Sequence, residues 1–195
     1  MTGAGSGPDL EFRLLDGSQA AACEQDLAAL HAEIHADPPY QFSDDAERFA
    51  TRFRVERRQP GSVLAGAWRG GYLVGYGSGL PLRPSTSWWR NLTTAEPDDV
   101  TAEHPGRTFA LTELAVRASW RRQGIGRALH DLIIGGRPEE RATLAVLPAA
   151  TPAQHAFRQW GWQKAARSRD PRPGPPAPGA SVYDILIRTL RPASR

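Results

Sequence analysis

The sequence predicts a single α/β (α+β) domain with a mixed central β-sheet flanked by helices. Three observations carry that expectation. Short apolar runs and amphipathic segments follow one another as β, two helices, hairpin, β, α, β, α, β, β. One strand, helix and strand unit, residues 108–147, has the spacing of a right-handed crossover between parallel strands. The 195 residues, 40% hydrophobic and 23% charged, suit one core and would crowd two.

Taken in order, Leu10, Phe12 and Leu14 alternate with Glu11 and Arg13, which predicts a strand over 10–15. Cys23, Leu27, Leu30 and Ile34 predict a helix over 18–35, stopped by Pro38-Pro39. His31 and His35 share one face of it and read as surface residues. A second helix is expected over 43–58, with Ser43 as N-cap, Phe49 and Phe53 inward and Arg52, Arg54, Arg57 and Arg58 solvated. Strands over 62–68 and 72–80 make a hairpin across Arg69-Gly70-Gly71. Gly75, Gly77 and Gly79 fall inside that strand pattern with no helix after them, so they signal close packing and not a phosphate loop.

Residues 81–107 show no periodicity, and Trp88-Trp89 either wall a pocket or seal a satellite core. A buried strand follows over 109–116, polar only at Thr112 and Glu113. Ile125, Ala128, Leu129, Leu132 and Ile133 then line one helical face, ended by Gly135-Gly136. After a strand over 142–147, Thr151-Pro152-Ala153-Gln154 reads as a capping box, and the helix closes at Gly161. Strands over 162–167 and 182–190 enclose a proline-rich loop. Residues 1–9 are expected to be a disordered leader, 10–190 the domain and 191–195 a short tail.

The chemistry concentrates in the turn Arg121-Arg122-Gln123-Gly124-Ile125-Gly126-Arg127. A helix start offers unpaired N–H groups, glycine lets a ligand approach, and arginine adds forked donors: together an anion site, best suited to phosphate or pyrophosphate. A Walker A loop is excluded because no Gly-Lys-Ser/Thr ends the turn. The dinucleotide fingerprint is excluded because Leu129 stands where its third glycine belongs. Glu113 is the one carboxylate in an apolar strand, a few residues before the turn. Burial would raise its pKa and make it a base or water relay; the alternative is a structural carboxylate paired with an arginine.

Arg121-x-x-Gly124-x-Gly126, flanked by L-A-V-R and R-A-L-H-D-L-I, resembles the acetyl-CoA signature of the GNAT superfamily of N-acetyltransferases. The resemblance implies a mixed sheet whose strand before the turn splays from its neighbour. Acetyl-CoA would lie in the gap, its pantetheine on the backbone of Leu114, Ala115 and Val116. The amides from Arg122 to Arg127 would hold the pyrophosphate, with Arg121 beside them. Val116 N–H would face the thioester oxygen as an oxyanion donor. Phe157 stands where many members carry a tyrosine that protonates the leaving thiolate; it can pack on pantetheine but holds no proton to give.

The implied activity is transfer of the acetyl group to a primary amine by direct attack in a ternary complex. The alternative is a non-catalytic acyl-CoA-binding module. A net charge of +3 is too small to indicate nucleic acid as partner, and Cys23, the only cysteine, excludes an intrachain disulfide. No metal-ligand spacing, signal peptide or spanning segment is evident. The expectation is therefore a cytoplasmic enzyme without metal or membrane partner, compatible with a homodimer.

Overall fold

The computed structural model describes residues 9–36, 38–40, 46–93, 98–169 and 182–190. The leader up to residue 8, Ser43, most of the proline-rich loop and the tail from 191 lie outside the described residues. The strands are β1 (Leu10–Asp16), β2 (Val63–Arg69), β3 (Tyr72–Pro81), β4 (Thr108–Val116), β5 (Arg141–Val146), β6 (Gln163–Arg169) and β7 (Val182–Thr189). They form one sheet in the order β1-β2-β3-β4-β5-β7-β6. β4 and β5 run parallel, and the other five pairs are antiparallel. The mixed sheet read from the sequence is thus present.

The helices are α1 (Glu24–His35), α2 (Ala46–Glu56), a short α3 (Asp98–Thr101), α4 (Ile125–Ile134) and α5 (Thr151–Gln159). Side chains alternate along the strands, and the clusters sort accordingly. On one face Val74 and Phe109 meet Ile125, Leu129 and Ile133 of α4 and Phe157 of α5. On the other, Leu73 and Tyr76 meet Leu27 and Leu30 of α1 and Phe49 and Phe53 of α2. Each fully buried aliphatic side chain contributes about 2 kcal/mol, so α4 is anchored mainly by three residues on a single stripe.

Three sequence expectations need correction. The first helix is not continuous: a 3-10 turn, Gln19–Cys23, precedes α1. Asp16 accepts from the N–H groups of Ser18 and Gln19 at 2.8 Å, which fixes the entry to this turn. The capping box at Thr151 does not form, because Ala150 occupies the cap and Thr151 is already helical. Gln154 instead donates to Asp184 at 3.2 Å. The arginine face of α2 is not uniformly solvated either. Arg52 is largely buried, and Arg57 donates to the Gly17 carbonyl.

Trp88 and Trp89 resolve in favour of the satellite core. Both are buried with Leu82, Ala110, Ala166 and Ile185. The same loop runs along the outer edge of β6, through a bridge between Leu92 and Ser168 and a bond from Arg169 N–H to Asn91. An otherwise open sheet edge is thereby partly covered.

The glycines of β3 are explained by close approach. A Cβ on Gly77 would lie 2.7 Å from Ile133 of α4, and one on Gly79 would lie 2.5 Å from both the Ala110 carbonyl and the Phe109 ring. Gly79→Ala is therefore expected to destabilise the protein by about 3 kcal/mol, the upper range for overpacking. Equilibrium urea unfolding reads this directly, and a change within ±0.5 kcal/mol would contradict the packing described.

Candidate active site

β4 and β5 start as neighbours and then part. Their parallel pairing runs from Thr108–Arg141 to Leu111–Leu144 and stops there. β4 continues to Val116, while Ala145 and Val146 of β5 stay paired with β7. The divergence coincides with a bulge in β4. Ser78 of β3 faces Glu113 and Gly79 faces Leu111, which leaves Thr112 as the extra residue. A bulge bends its strand and sharpens the twist. The Thr112 hydroxyl fixes it by donating to the Ser78 carbonyl at 3.2 Å.

The bulge also decides where backbone groups point. Arg117 N–H donates to Val74 of β3 at 2.9 Å. Antiparallel pairing alternates, so Ala115 also turns its backbone to β3, and Leu114 and Val116 turn theirs into the gap. Of the three residues read as a pantetheine surface, Ala115 is therefore committed to its partner Tyr76. The Val116 carbonyl accepts from Arg121 Nε at 3.0 Å, while its N–H faces the gap.

At the end of β4 the chain makes a 3-10 turn, Ala118–Trp120, and enters the arginine turn. Arg122 has φ 60° and Gly124 φ 81°, both left-handed. A left-handed arginine costs on the order of 1 kcal/mol, and such strain concentrates at functional sites. The ladder of α4 begins with Ala128 N–H bonding Gly124 at 3.0 Å. The amides of Ile125, Gly126 and Arg127 thus have no partner within the helix, and they add to its positive end. A Cβ on Gly126 would meet only Val116 Cγ2, at 3.7 Å, and one on Gly124 would meet nothing within 4 Å. Space over both glycines is open, as a phosphate approaching the backbone requires. The side chains are less free. Gln123 donates to Ser119 at 3.2 Å, and Arg127 is bound to Asp131 at 2.5 Å.

Because of the bulge, Glu113 and Ala115 face α1 and α2, whereas Leu114 and Val116 face α4. Arg52 donates to Glu113 at 2.7 Å and lies 3.6 Å from Glu56. Burial pushes the Glu113 carboxyl up, but Arg52, with His31 and His35 near it, outweighs burial and holds it below the ordinary value of 4.5. The direction is opposite to the rise expected from burial, and the arginine partner named in the alternative reading is present as Arg52. Glu56, farther from Arg52, is pushed up by burial and by Glu113. His31 is also not a surface residue. It is 1% exposed, within 3.2 Å of the Tyr76 hydroxyl, and stacked between His35 and Phe49. Arg52, His31 and Tyr76 were missed as site residues. Their signal is position: Arg52 follows Phe49 by three, and His31 follows Leu27 by four, so each shares an apolar stripe.

Phe157 is buried against Trp160 and Trp162, edge to face. Trp162 Nε1 donates to His130 Nε2 at 3.0 Å, and His130 Nδ1 meets Asp131 at 2.8 Å. Burial lowers the His130 pKa, consistent with a neutral ring that bears its proton on Nδ1. This chain braces α4 against the start of β6 and carries through Asp131 to Arg127. Among the described residues no cluster of three or more His, Cys, Asp or Glu could hold a metal, and no helix is long and apolar enough to cross a membrane.

The geometry agrees with known proteins. No curated protein is a significant match in sequence. The ribosomal-protein-S18-alanine N-acetyltransferase of Escherichia coli is similar in structure at a TM-score of 0.60, with 16% identity over 96% of this chain and 97% of that one. The PaiA N-acetyltransferase of Thermoplasma acidophilum, solved with coenzyme A, has a TM-score of 0.57 at 11% identity, covering 93% of this chain and 99% of that one. The GphF GNAT-like decarboxylase, solved with isobutyryl-CoA, has a TM-score of 0.59 at 16% identity, covering 93% and 100%. At such identities the likeness is one of fold. The model of the acetyltransferase (GNAT) family matches residues 27–162, from α1 to the foot of β6, and the chain belongs to that family.

Proposed function

We propose that this protein is an acetyl-CoA-dependent N-acetyltransferase, moving the acetyl group to a primary amine by direct attack in a ternary complex. The observation that carries the reading is the parting of β4 from β5, with the backbone of Leu114 and Val116 turned into the gap and the unpaired amides of α4 at its end. A pantetheine amide chain fits the first and a pyrophosphate the second. Two structures of like fold, solved with coenzyme A and isobutyryl-CoA, support acyl-CoA as the ligand class.

Bound acetyl-CoA supplies a thioester carbonyl open to nucleophiles. Val116 N–H stabilises the negative charge that grows on its oxygen during attack. The amine arrives as an ammonium of pKa about 10 and must first lose a proton. Glu113 stays ionised through neutral pH and orients a water that takes that proton and passes it on to solvent, with Arg52 fixing its carboxylate. Since Arg52 also weakens Glu113 as a base, a relay suits it better than direct abstraction. Phe157 gives the leaving sulfur no proton, but a thiol pKa of about 8.5 makes thiolate a tolerable leaving group. The non-catalytic alternative keeps the binding and drops the turnover.

Calorimetry tests the binding. Wild type should bind acetyl-CoA at micromolar Kd. Gly126→Glu, which the fold accommodates, should weaken binding at least about 30-fold, or 2 kcal/mol, with its thermal midpoint retained. A folded sample that binds neither acetyl-CoA nor longer acyl-CoAs sinks the proposal. An amine panel followed by thiol release then separates enzyme from sensor. Glu113→Gln should lower kcat about 100-fold with acetyl-CoA affinity unchanged.

Arg52 supplies a pH test. A depressed carboxylate pKa means the ionised form survives into acid, so Glu113 should stay ionised until pH falls below the ordinary Glu value of 4.5. Arg52→Met removes the largest counterweight to burial and should raise the Glu113 pKa. Carboxyl 13C titration follows the group itself, and an unshifted Glu113 resonance would refute the role assigned to Arg52.

A further inference from the structure

β1 is the terminal strand of the sheet on its side, paired with β2 along one edge from Leu10–Arg69 to Asp16–Val63. Among the described residues no strand pairs with its other edge. Such an edge presents a row of unpaired N–H and C=O groups and is ordinarily blunted by charge, proline or a bulge. Here Phe12 and Leu14, both on the α4 face with Leu10, are 40% and 46% exposed. Glu11 and Arg13 lie on the opposite face, bound to one another, with Arg13 5.3 Å from the centre of the Trp68 ring.

We propose that β1 pairs antiparallel with β1 of a second copy, about a twofold axis through Phe12, to give a homodimer with one continuous sheet. The sequence Leu10-Glu11-Phe12-Arg13-Leu14 is complementary to its own reverse. With the axis at Phe12, Leu10 opposes the partner's Leu14, Phe12 meets its own copy, and Glu11 opposes the partner's Arg13. Apolar contacts then share the α4 face, and two unlike-charge pairs share the other. Moving the axis by one residue sets Arg13 against Arg13 or Glu11 against Glu11, so the side chains select one register. A twofold interface needs such self-complementarity, since each patch must match itself. In the free protein Glu11 and Arg13 satisfy each other along the strand, and the dimer exchanges that bond for two across the axis. The interface is small, which sets the expected affinity in the micromolar range.

Sedimentation velocity from low to high micromolar protein tests this. The mean mass should rise from 21.3 kDa toward twice that value. Arg13→Glu makes both charge pairs repulsive and should weaken association about tenfold, because the axis counts each change twice. The exchanged variant, Glu11→Arg with Arg13→Glu, restores unlike pairing and should recover wild-type association to within about threefold. Phe12→Lys should leave only monomer, and circular dichroism confirms that each variant is folded. A wild type that stays monomeric throughout overturns the proposal, whether or not another segment covers β1. A dimer indifferent to Arg13→Glu and Phe12→Lys also overturns it, by placing the interface elsewhere.

Discussion

One extra residue in β4 governs the molecule. With strict alternation, Glu113 would fall on the same face as Phe109 and Leu111, inside the apolar contact with α4. Thr112 resets the phase. Glu113 and Ala115 then turn to α1 and α2, and the strand bends from β5 beyond Leu111. The backbone groups of Leu114 and Val116 are left with no strand to bond. A buried polar group without a partner is costly, so such a gap persists only where water or a ligand completes it. The same phase shift that empties the gap thus brings a carboxylate to its far side.

The parts legible in sequence are those fixed by local chemistry. Period-two and period-3.6 patterns located the seven strands and the four longer helices to within a few residues, because tertiary packing reinforces those periods. The turn from Arg121 to Arg127 could be read because glycine and arginine have few other uses at a helix start. What escaped reading depends on partners distant in sequence. Arg52 and Glu113 are 61 residues apart, and nothing near either one signals the other. His31 looked like surface because its partner, Tyr76, lies three elements away. Thr151 was read as a cap because its neighbours fit the pattern, while the cap itself fell to Ala150. The bulge was also invisible: Thr112 and Glu113 read as two polar residues in a strand, with no sign that one of them was extra.

The two sides of the gap are built differently. Toward α4 the exposed groups are mostly main chain, from Leu114 and Val116 to the helix amides, and a side chain is tolerated where it leaves them open. Toward α1 and α2 the wall is built of largely buried side chains on separate elements: His31, Arg52, Glu56, Tyr76 and Glu113. On the proposed reading the first side holds the acyl donor, common to the family, and the second meets the acceptor. Substitutions on α1 and α2 can therefore change the acceptor without disturbing the donor.

The charge balance of that second side bears on how, in the proposed reaction, the acceptor loses its proton. Arg52 neutralises Glu113, and Glu56 is driven toward its uncharged form, so the cluster carries little surplus negative charge. Arg52 lowers both carboxyls, but burial and the Glu113 charge raise Glu56, and carboxyls whose surroundings separate them in this way are how a site keeps one group ionised while moving another toward its protonated form. An ammonium ion entering the cluster would have to compete with Arg52 for Glu113 and shed water to do so. A neutral amine meets no such opposition, and it is the form that attacks. On the proposed reading the ammonium therefore gives up its proton to the oriented water before it attacks, and the ion pair that holds α2 against β4 also keeps Glu113 ionised for that step.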